Sequence, residues 1–266
     1  MDATNPETRV FAFQYDIAWQ DKSTNFDRVD QMVNRAVPPK GSLLVLPEMF
    51  ATGFSMDVAA VGETAHGRTA EFLSTLARKW ACFVVGGVVS RSDANLGSND
   101  AVVFAPDGCR VLTYRKMHPF SYGGETEHFA VGQDLAVFDW QGLKVCPLVC
   151  YDLRFPEVFR TAVIRGAEVF AVIANWPRAR QGHWETLLRA RAIENQAYVI
   201  GVNRVGRDPS VAYRGGSVVI DPRGEVLAEA TTEAVTLSSV IDQTALQAYR
   251  NRFPALKDIH RDWVHG

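Results

Sequence analysis

Short apolar runs that stop abruptly at an ionisable side chain recur through this sequence, and they restrict the fold to one built on buried strands. Lys144-Val145-Cys146-Pro147-Leu148-Val149 runs into Cys150, Ser42-Leu43-Leu44-Val45-Leu46 into Pro47-Glu48, and Arg110 to Tyr114 into Arg115-Lys116. Runs this short and this rich in β-branched residues fit strands covered on both faces. Val169 to Ile173, closing in Ala174-Asn175-Trp176-Pro177, and Tyr198 to Val202 repeat the pattern. Between the runs lie segments of helical spacing: Asn25 to Val37, Thr69 to Trp80, and Trp184 to Gln196, the last predicted to turn Trp184, Leu187, Leu188 and Ile193 to the core. Pro156 and Glu157 suit the first turn of a helix that Gly166 stops after Arg165.

The remaining strands are Arg9 to Gln14, Cys82 to Val89, two hairpins (99–105 with 110–114, and 136–140 with 143–149), and the segments 216–220, 226–228 and 235–240. Phe120 to Gly132 carries little periodicity and reads as a loop. The segment after Ala245 reads as helical and then irregular, a tail that packs on a neighbouring surface. Alternating strands and helices, with hairpins among them, predict an α/β protein with a mixed sheet in layers. Residues 1–266 show no linker or repeat and are read as a single domain, and periodicity leaves open whether there is one sheet or two.

Composition excludes several function classes. The formal net charge of -2 gives no basic excess to track nucleic acid or an anionic membrane. No apolar run reaches the roughly 18 residues of a membrane span, and Met1 to Glu7 has neither the basic nor the apolar stretch of an export signal, so the expected compartment is the cytoplasm. The four cysteines, at 82, 109, 146 and 150, lack CxxC spacing, and no metal is predicted.

The chemistry lies where strands end, since ligands of open α/β sheets bind at the carboxyl ends of strands. Cys150 occupies a strand-to-helix turn, where helix N-terminal dipoles are expected to lower its pKa and favour the thiolate. A lone cysteine is more often an inert core residue, as Cys146 is expected to be. Glu48 and Lys116 change that balance: a carboxylate in a partly apolar pocket is a base for the thiol, and an ammonium can hold an oxyanion. Together they make an acyl-transfer site without a catalytic histidine.

Leu46-Pro47-Glu48-Met49-Phe50, Tyr114-Arg115-Lys116 and Cys150-Tyr151-Asp152-Leu153-Arg154-Phe155-Pro156, in that order, resemble the three signatures of the carbon-nitrogen hydrolase (nitrilase) superfamily. The likeness extends through Asn99, Asn175-Trp176-Pro177, the segment 189–196 and the segment 215–225, so it covers nearly the whole chain. Leu-Pro-Glu-Met-Phe together with Ala174-Asn175-Trp176-Pro177 and Asn203-Arg204-Val205-Gly206 resembles the bacterial ω-amidases, which hydrolyse the terminal amide of 2-oxoglutaramate and 2-oxosuccinamate.

This resemblance implies a four-layer αββα sandwich, a homodimer or larger homo-oligomer, and a cofactor-free amidase. In that mechanism Cys150 is the nucleophile and Glu48 the base, while Lys116 and the Tyr151 N–H hold the oxyanion. It also implies a second glutamate before the nucleophile strand, Glu125, with Glu127 as its rival. Arg154 has two readings, a partner for a substrate carboxylate or an ion pair with Asp152 or Glu157. Trp176 likewise walls the pocket or packs. The alternative activities are a nitrilase, an N-carbamoyl amino acid amidohydrolase, and a non-catalytic binding protein that kept the fold.

Overall fold

The computed structural model describes residues 8–91, 96–260 and 262. Met1 to Glu7, on which the expectation about export rests, lie outside them. The first half of the chain runs β1 (Arg9–Gln14), α1 (Lys22–Ala36), β2 (Leu43–Val45), α2 (Val58–Val61), α3 (Arg68–Trp80), β3 (Phe83–Arg91), β4 (Gly97–Phe104), β5 (Arg110–Arg115) and α4 (Glu125–His128). It continues with β6 (Phe138–Trp140), β7 (Leu143–Val149), α5 (Pro156–Ile164), β8 (Val169–Ile173), α6 (Gln181–Asn195) and β9 (Tyr198–Val202). The last elements are β10 (Val205–Arg207), β11 (Ala212–Arg214), β12 (Val218–Ile220), β13 (Val226–Glu229), β14 (Val235–Val240) and α7 (Gln243–Arg252).

Two six-stranded sheets form, in the orders β14-β1-β2-β3-β4-β5 and β13-β12-β9-β8-β7-β6, with β10 and β11 as a separate hairpin. Each sheet has three parallel strands at its centre, β1-β2-β3 in one and β7-β8-β9 in the other, flanked by antiparallel edges.

Side-chain alternation explains the layers. Along β1, Val10 and Ala12 join the core shared with the second sheet, while Phe11 and Phe13 join a separate core with Val29 and Val33 of α1 and Leu73 and Leu76 of α3. Successive strand residues point to opposite faces, so one strand serves both cores. On the far side, Phe159 of α5 and Trp184 and Leu188 of α6 cover the second sheet. The order is helix, sheet, sheet, helix, the four-layer αββα sandwich. No helix among the described residues is long and apolar enough to cross a membrane.

Two local expectations differ from the structure. Ile193 is 48% exposed, because the buried face of α6 runs through Gln181, Trp184, Leu188, Arg191, Ala192 and Asn195, and position 193 turns away from it. The stretch 120–132 is not all loop, since it contains α4. The terminal α7 docks on the second sheet's side of the molecule through Leu246, fully buried, and through Arg250, which donates to the carbonyls of Gln196 and Ala167 at 2.9 and 3.1 Å.

A cap from outside the helix steadies α3, whose own N-cap, Gly67, has no side chain to offer. Glu63 supplies it, with Oε2 accepting from Thr69 N at 2.8 Å and Oε1 pairing with Lys22 Nζ at 2.5 Å. Burial works to raise the Glu63 pKa, but the bonds from Lys22 and Thr69 outweigh it and hold the carboxyl below its ordinary value. Glu63→Ala is expected to lower stability in urea unfolding by about 1–2 kcal/mol near neutral pH. Because the folded pKa is depressed, the stabilising share is complete above the ordinary value of about 4.3 and is lost as pH falls through the folded one. The gap between parent and variant therefore narrows only in acid.

Candidate active site

The turn that carries Glu48 exists because a glycine lets two backbones meet. Gly87 N donates to Pro47 O and Phe50 N to Gly87 O, both at 3.2 Å. A Cβ at Gly87 would stand 2.5 Å from Glu48 Cα, so any other residue would push the turn off β3. Met49 completes the turn with φ 44°, a left-handed conformation uncommon outside glycine.

Glu48 is fully buried, and its carboxylate is held from three directions. Oε1 accepts from Asn99 Nδ2 of β4 at 2.7 Å and from Lys116 Nζ at 3.0 Å, and Oε2 accepts from Asn175 N, just past β8, at 2.8 Å. Asn175 Nδ2 also donates to the Glu48 carbonyl at 2.6 Å, which fixes backbone and side chain together.

Lys116 follows β5 and is 1% exposed. Its Nζ bonds Glu125 Oε2 at 2.7 Å, the same oxygen that accepts from Phe120 N at 2.6 Å, and Glu125 Oε1 accepts from Asn99 Nδ2 at 2.8 Å. Burial alone would strip the charge from Lys116. The Glu48 and Glu125 carboxylates outweigh burial and hold its pKa above the ordinary lysine value. Of the two candidate glutamates, Glu125 is therefore the one in the cluster, while Glu127 on the same short helix is exposed.

Cys150 opens a 3₁₀ turn, Cys150–Arg154, with φ 47°. Asp152 fastens that turn: its carboxylate accepts from Val149 N at 3.0 Å, Tyr114 Oη at 2.8 Å and His118 N at 2.9 Å, and meets His118 Nδ1 at 2.9 Å. Arg191 of α6 holds the turn from behind through Leu153 O, at 3.2 Å from Nε and 2.8 Å from Nη2. Tyr151 is the second residue of the turn, a position whose N–H has no acceptor within the helix.

The electrostatics correct one expectation. The Cys150 thiol is pushed well above its ordinary pKa, first by burial and then by the Glu48 carboxylate, with Lys116 opposing. A weak helix-end dipole does not overcome two carboxylates and desolvation, so the Cys150 side chain is held towards the thiol, and a thiolate there would need a base. Cys146 is fully buried in the core, as expected, and burial raises its thiol too.

Above Cys150 lies a cavity of about 1010 Å³ whose walls include Phe54, Tyr151, Trp176 and Tyr213. Trp176 does both things asked of it: it lines the cavity and packs on Trp184 with ring centroids 5.5 Å apart. Arg154 also lines the cavity, and no ion pair joins it to Asp152 or Glu157 among the described residues. Asp152 points the other way, into the turn. Asn99 and Asn175, which hold Glu48, carry only a faint mark in the sequence, a polar residue within an apolar strand or just past its end.

A sequence profile described as carbon-nitrogen hydrolase matches residues 9–251. The chain belongs to the carbon-nitrogen hydrolase family. It is 40% identical over 255 residues to the omega-amidase YafV of Yersinia enterocolitica, covering 94% of this chain and 96% of that one. It is 34% identical over 256 residues to the 2-oxoglutaramate amidase of Bacillus subtilis, covering 95% and 98%. Among solved structures it matches XC1258 of Xanthomonas campestris, a CN-hydrolase superfamily protein with an arsenic adduct in its active site. The TM-score is 0.90 with 34% identity, covering 96% of this chain and 98% of that one. This carbon-nitrogen hydrolase is thus a hydrolytic enzyme of the cysteine-dependent type.

Proposed function

We propose that this hydrolase cleaves the terminal amide of a small 2-oxo acid amide, such as 2-oxoglutaramate or 2-oxosuccinamate, giving the carboxylate and ammonia through a thioester on Cys150. The observation that carries the reading is the buried Glu48–Lys116–Glu125 cluster beside Cys150, under a cavity whose wall holds Arg154 without an acidic partner. The names of the two relatives above support the choice of substrate.

Each group has one task. Glu48 takes the Cys150 proton, and the thiolate adds to the amide carbon. The charge that develops on oxygen is met by the Lys116 ammonium and the Tyr151 N–H. Glu48 passes its proton to the nitrogen, the C–N bond breaks and ammonia leaves. A water gives a proton to Glu48 and adds to the thioester carbon. The C–S bond then breaks, and sulfur regains the proton. Glu125 keeps Lys116 charged and in place, and Arg154 pairs with the substrate carboxylate beside Trp176.

Ammonia release from 2-oxoglutaramate, an N-carbamoyl amino acid and a nitrile, compared at matched enzyme, tests the reading. The oxo-acid amide is expected to give the highest kcat/KM, by at least about 100-fold. Good nitrile turnover with none on the oxo-acid amide would sink it. A cytoplasmic homodimer or larger assembly completes the proposal, and a light-scattering mass of at least twice 29.5 kDa supports the oligomer.

A further inference from the structure

Rings and guanidinium groups form a closed circuit in the cavity wall. The Arg154 guanidinium carbon lies 5.7 Å from the Tyr151 ring centroid and 5.0 Å from that of Trp176. The Tyr151 ring meets Phe120 edge-on at 5.0 Å, and the Arg180 guanidinium carbon lies 5.2 Å from the Phe120 ring and 5.8 Å from that of Tyr122. Trp176 closes the circuit, its Nε1 donating to the Arg180 carbonyl at 2.8 Å. All of these residues line the cavity.

Neither guanidinium meets a carboxylate among the described residues. Arg154 Nη2 meets the ring nitrogen of His183 at 3.1 Å, and among the described residues the Arg180 side chain has no hydrogen bond or ion pair. The aspartates of the same wall are engaged elsewhere. Asp208 accepts from Tyr213 Oη at 2.5 Å and from Val211 N at 2.6 Å, and Asp57 accepts from Ala60 N at 3.0 Å. Arg180 is thus a cation held by stacking on aromatic faces, its donors left for something in the cavity.

Charge explains why one arginine is not enough. The buried cluster beside Cys150 carries two carboxylates against one ammonium, so the site repels an anion. Arg154 offsets that excess, and Arg178 and Arg180 in the same wall stand against Asp57 and Asp208; of these two arginines, Arg178 is exposed, and Arg180 is the one fixed on ring faces. We infer that Arg180 is a specificity-determining residue that selects amides ending in a carboxylate over neutral amides of the same length. The inference rests on the acid-amide reading above.

Arg180 also touches Phe120, whose N–H holds Glu125, so a purely structural role would act on the catalytic step for every substrate. The experiment separates the two. Steady-state kinetics of the parent, Arg180→Gln and Arg180→Lys are measured on 2-oxoglutaramate and on pentanamide, at low and high salt. For Arg180→Gln, KM for 2-oxoglutaramate is expected to rise about 10- to 100-fold with kcat within about 3-fold, while pentanamide kcat/KM moves less than about 2-fold. Arg180→Lys recovers part of the loss, and the salt dependence of KM flattens in Arg180→Gln. Equal losses on both substrates, or a fall in kcat with KM unmoved, would overturn the role of Arg180 while leaving the acid-amide reading intact. A parent that prefers pentanamide would overturn both.

Discussion

Cys150→Ala is expected to lower turnover of 2-oxoglutaramate by about 10⁴-fold or more, with the far-ultraviolet dichroism spectrum unchanged. The size of the effect follows from the chemistry, because among the described cysteines Cys150 alone lines the cavity. Cys146 has the same strand parity, but it is fully buried in the core of the second sheet and does not line the cavity. The fold should survive, since the turn is held by Asp152 and Arg191 and not by the thiol. The loss should appear in kcat, because the thiol adds little to substrate binding before it attacks. A thiol-directed electrophile should label the parent at Cys150. Since the thiol sits above its ordinary pKa, labelling of the free enzyme should speed up as pH rises.

Lys116→Met is expected to abolish activity and to cost about 3–5 kcal/mol of stability, read by urea unfolding. Methionine fills much of the volume, so packing is not the cause. The cost comes from two buried carboxylates, Glu48 and Glu125, that lose the ammonium bonding both at 3.0 and 2.7 Å. The pH dependence carries a sign. Lys116 has a raised folded pKa, so its stabilising share is complete below the ordinary lysine value of about 10.4 and is lost only as pH rises through the higher folded value. The parent therefore keeps it throughout the neutral range. The variant leaves two buried carboxylates with no cation between them, so its deficit should shrink as pH falls. A deficit that stays constant from about pH 8 to pH 5 would mean that the loss is one of packing, not charge.

The strands were legible because their information is local. A run such as Val169 to Ile173 has the length and β-branching of a buried strand whatever surrounds it, and it appears over the same residues in the structure. Period-two alternation in β1 already assigns Val10 and Phe11 to different faces, but the partition into two sheets depends on pairing between strands far apart in the chain. The same limit applies at the site. Glu48, Lys116 and Cys150 each announce themselves at a strand end. The groups that hold Glu48 do not, since Asn99 is 51 positions away and Asn175 is 127. The short helix carrying Glu125 has four residues, fewer than a periodic pattern needs to show itself. The direction of the Cys150 shift is not legible locally, because the sequence shows the turn but not the desolvation that dominates the shift once the two sheets close over the thiol. Arg154 was ambiguous because Asp152 and Glu157 stand near it in sequence, and only the three-dimensional turn shows Asp152 facing away.

The proposed reaction turns on a covalent bond between Cys150 and the acyl part of the substrate. Rapid mixing of the parent enzyme with excess 2-oxoglutaramate, acid quenching within the first turnovers, and peptide mass spectrometry test it most directly. The expected result is an acyl adduct on the peptide containing Cys150, absent from Cys150→Ala. An adduct on another residue, or hydrolysis by Cys150→Ala near the parent rate, would contradict the account.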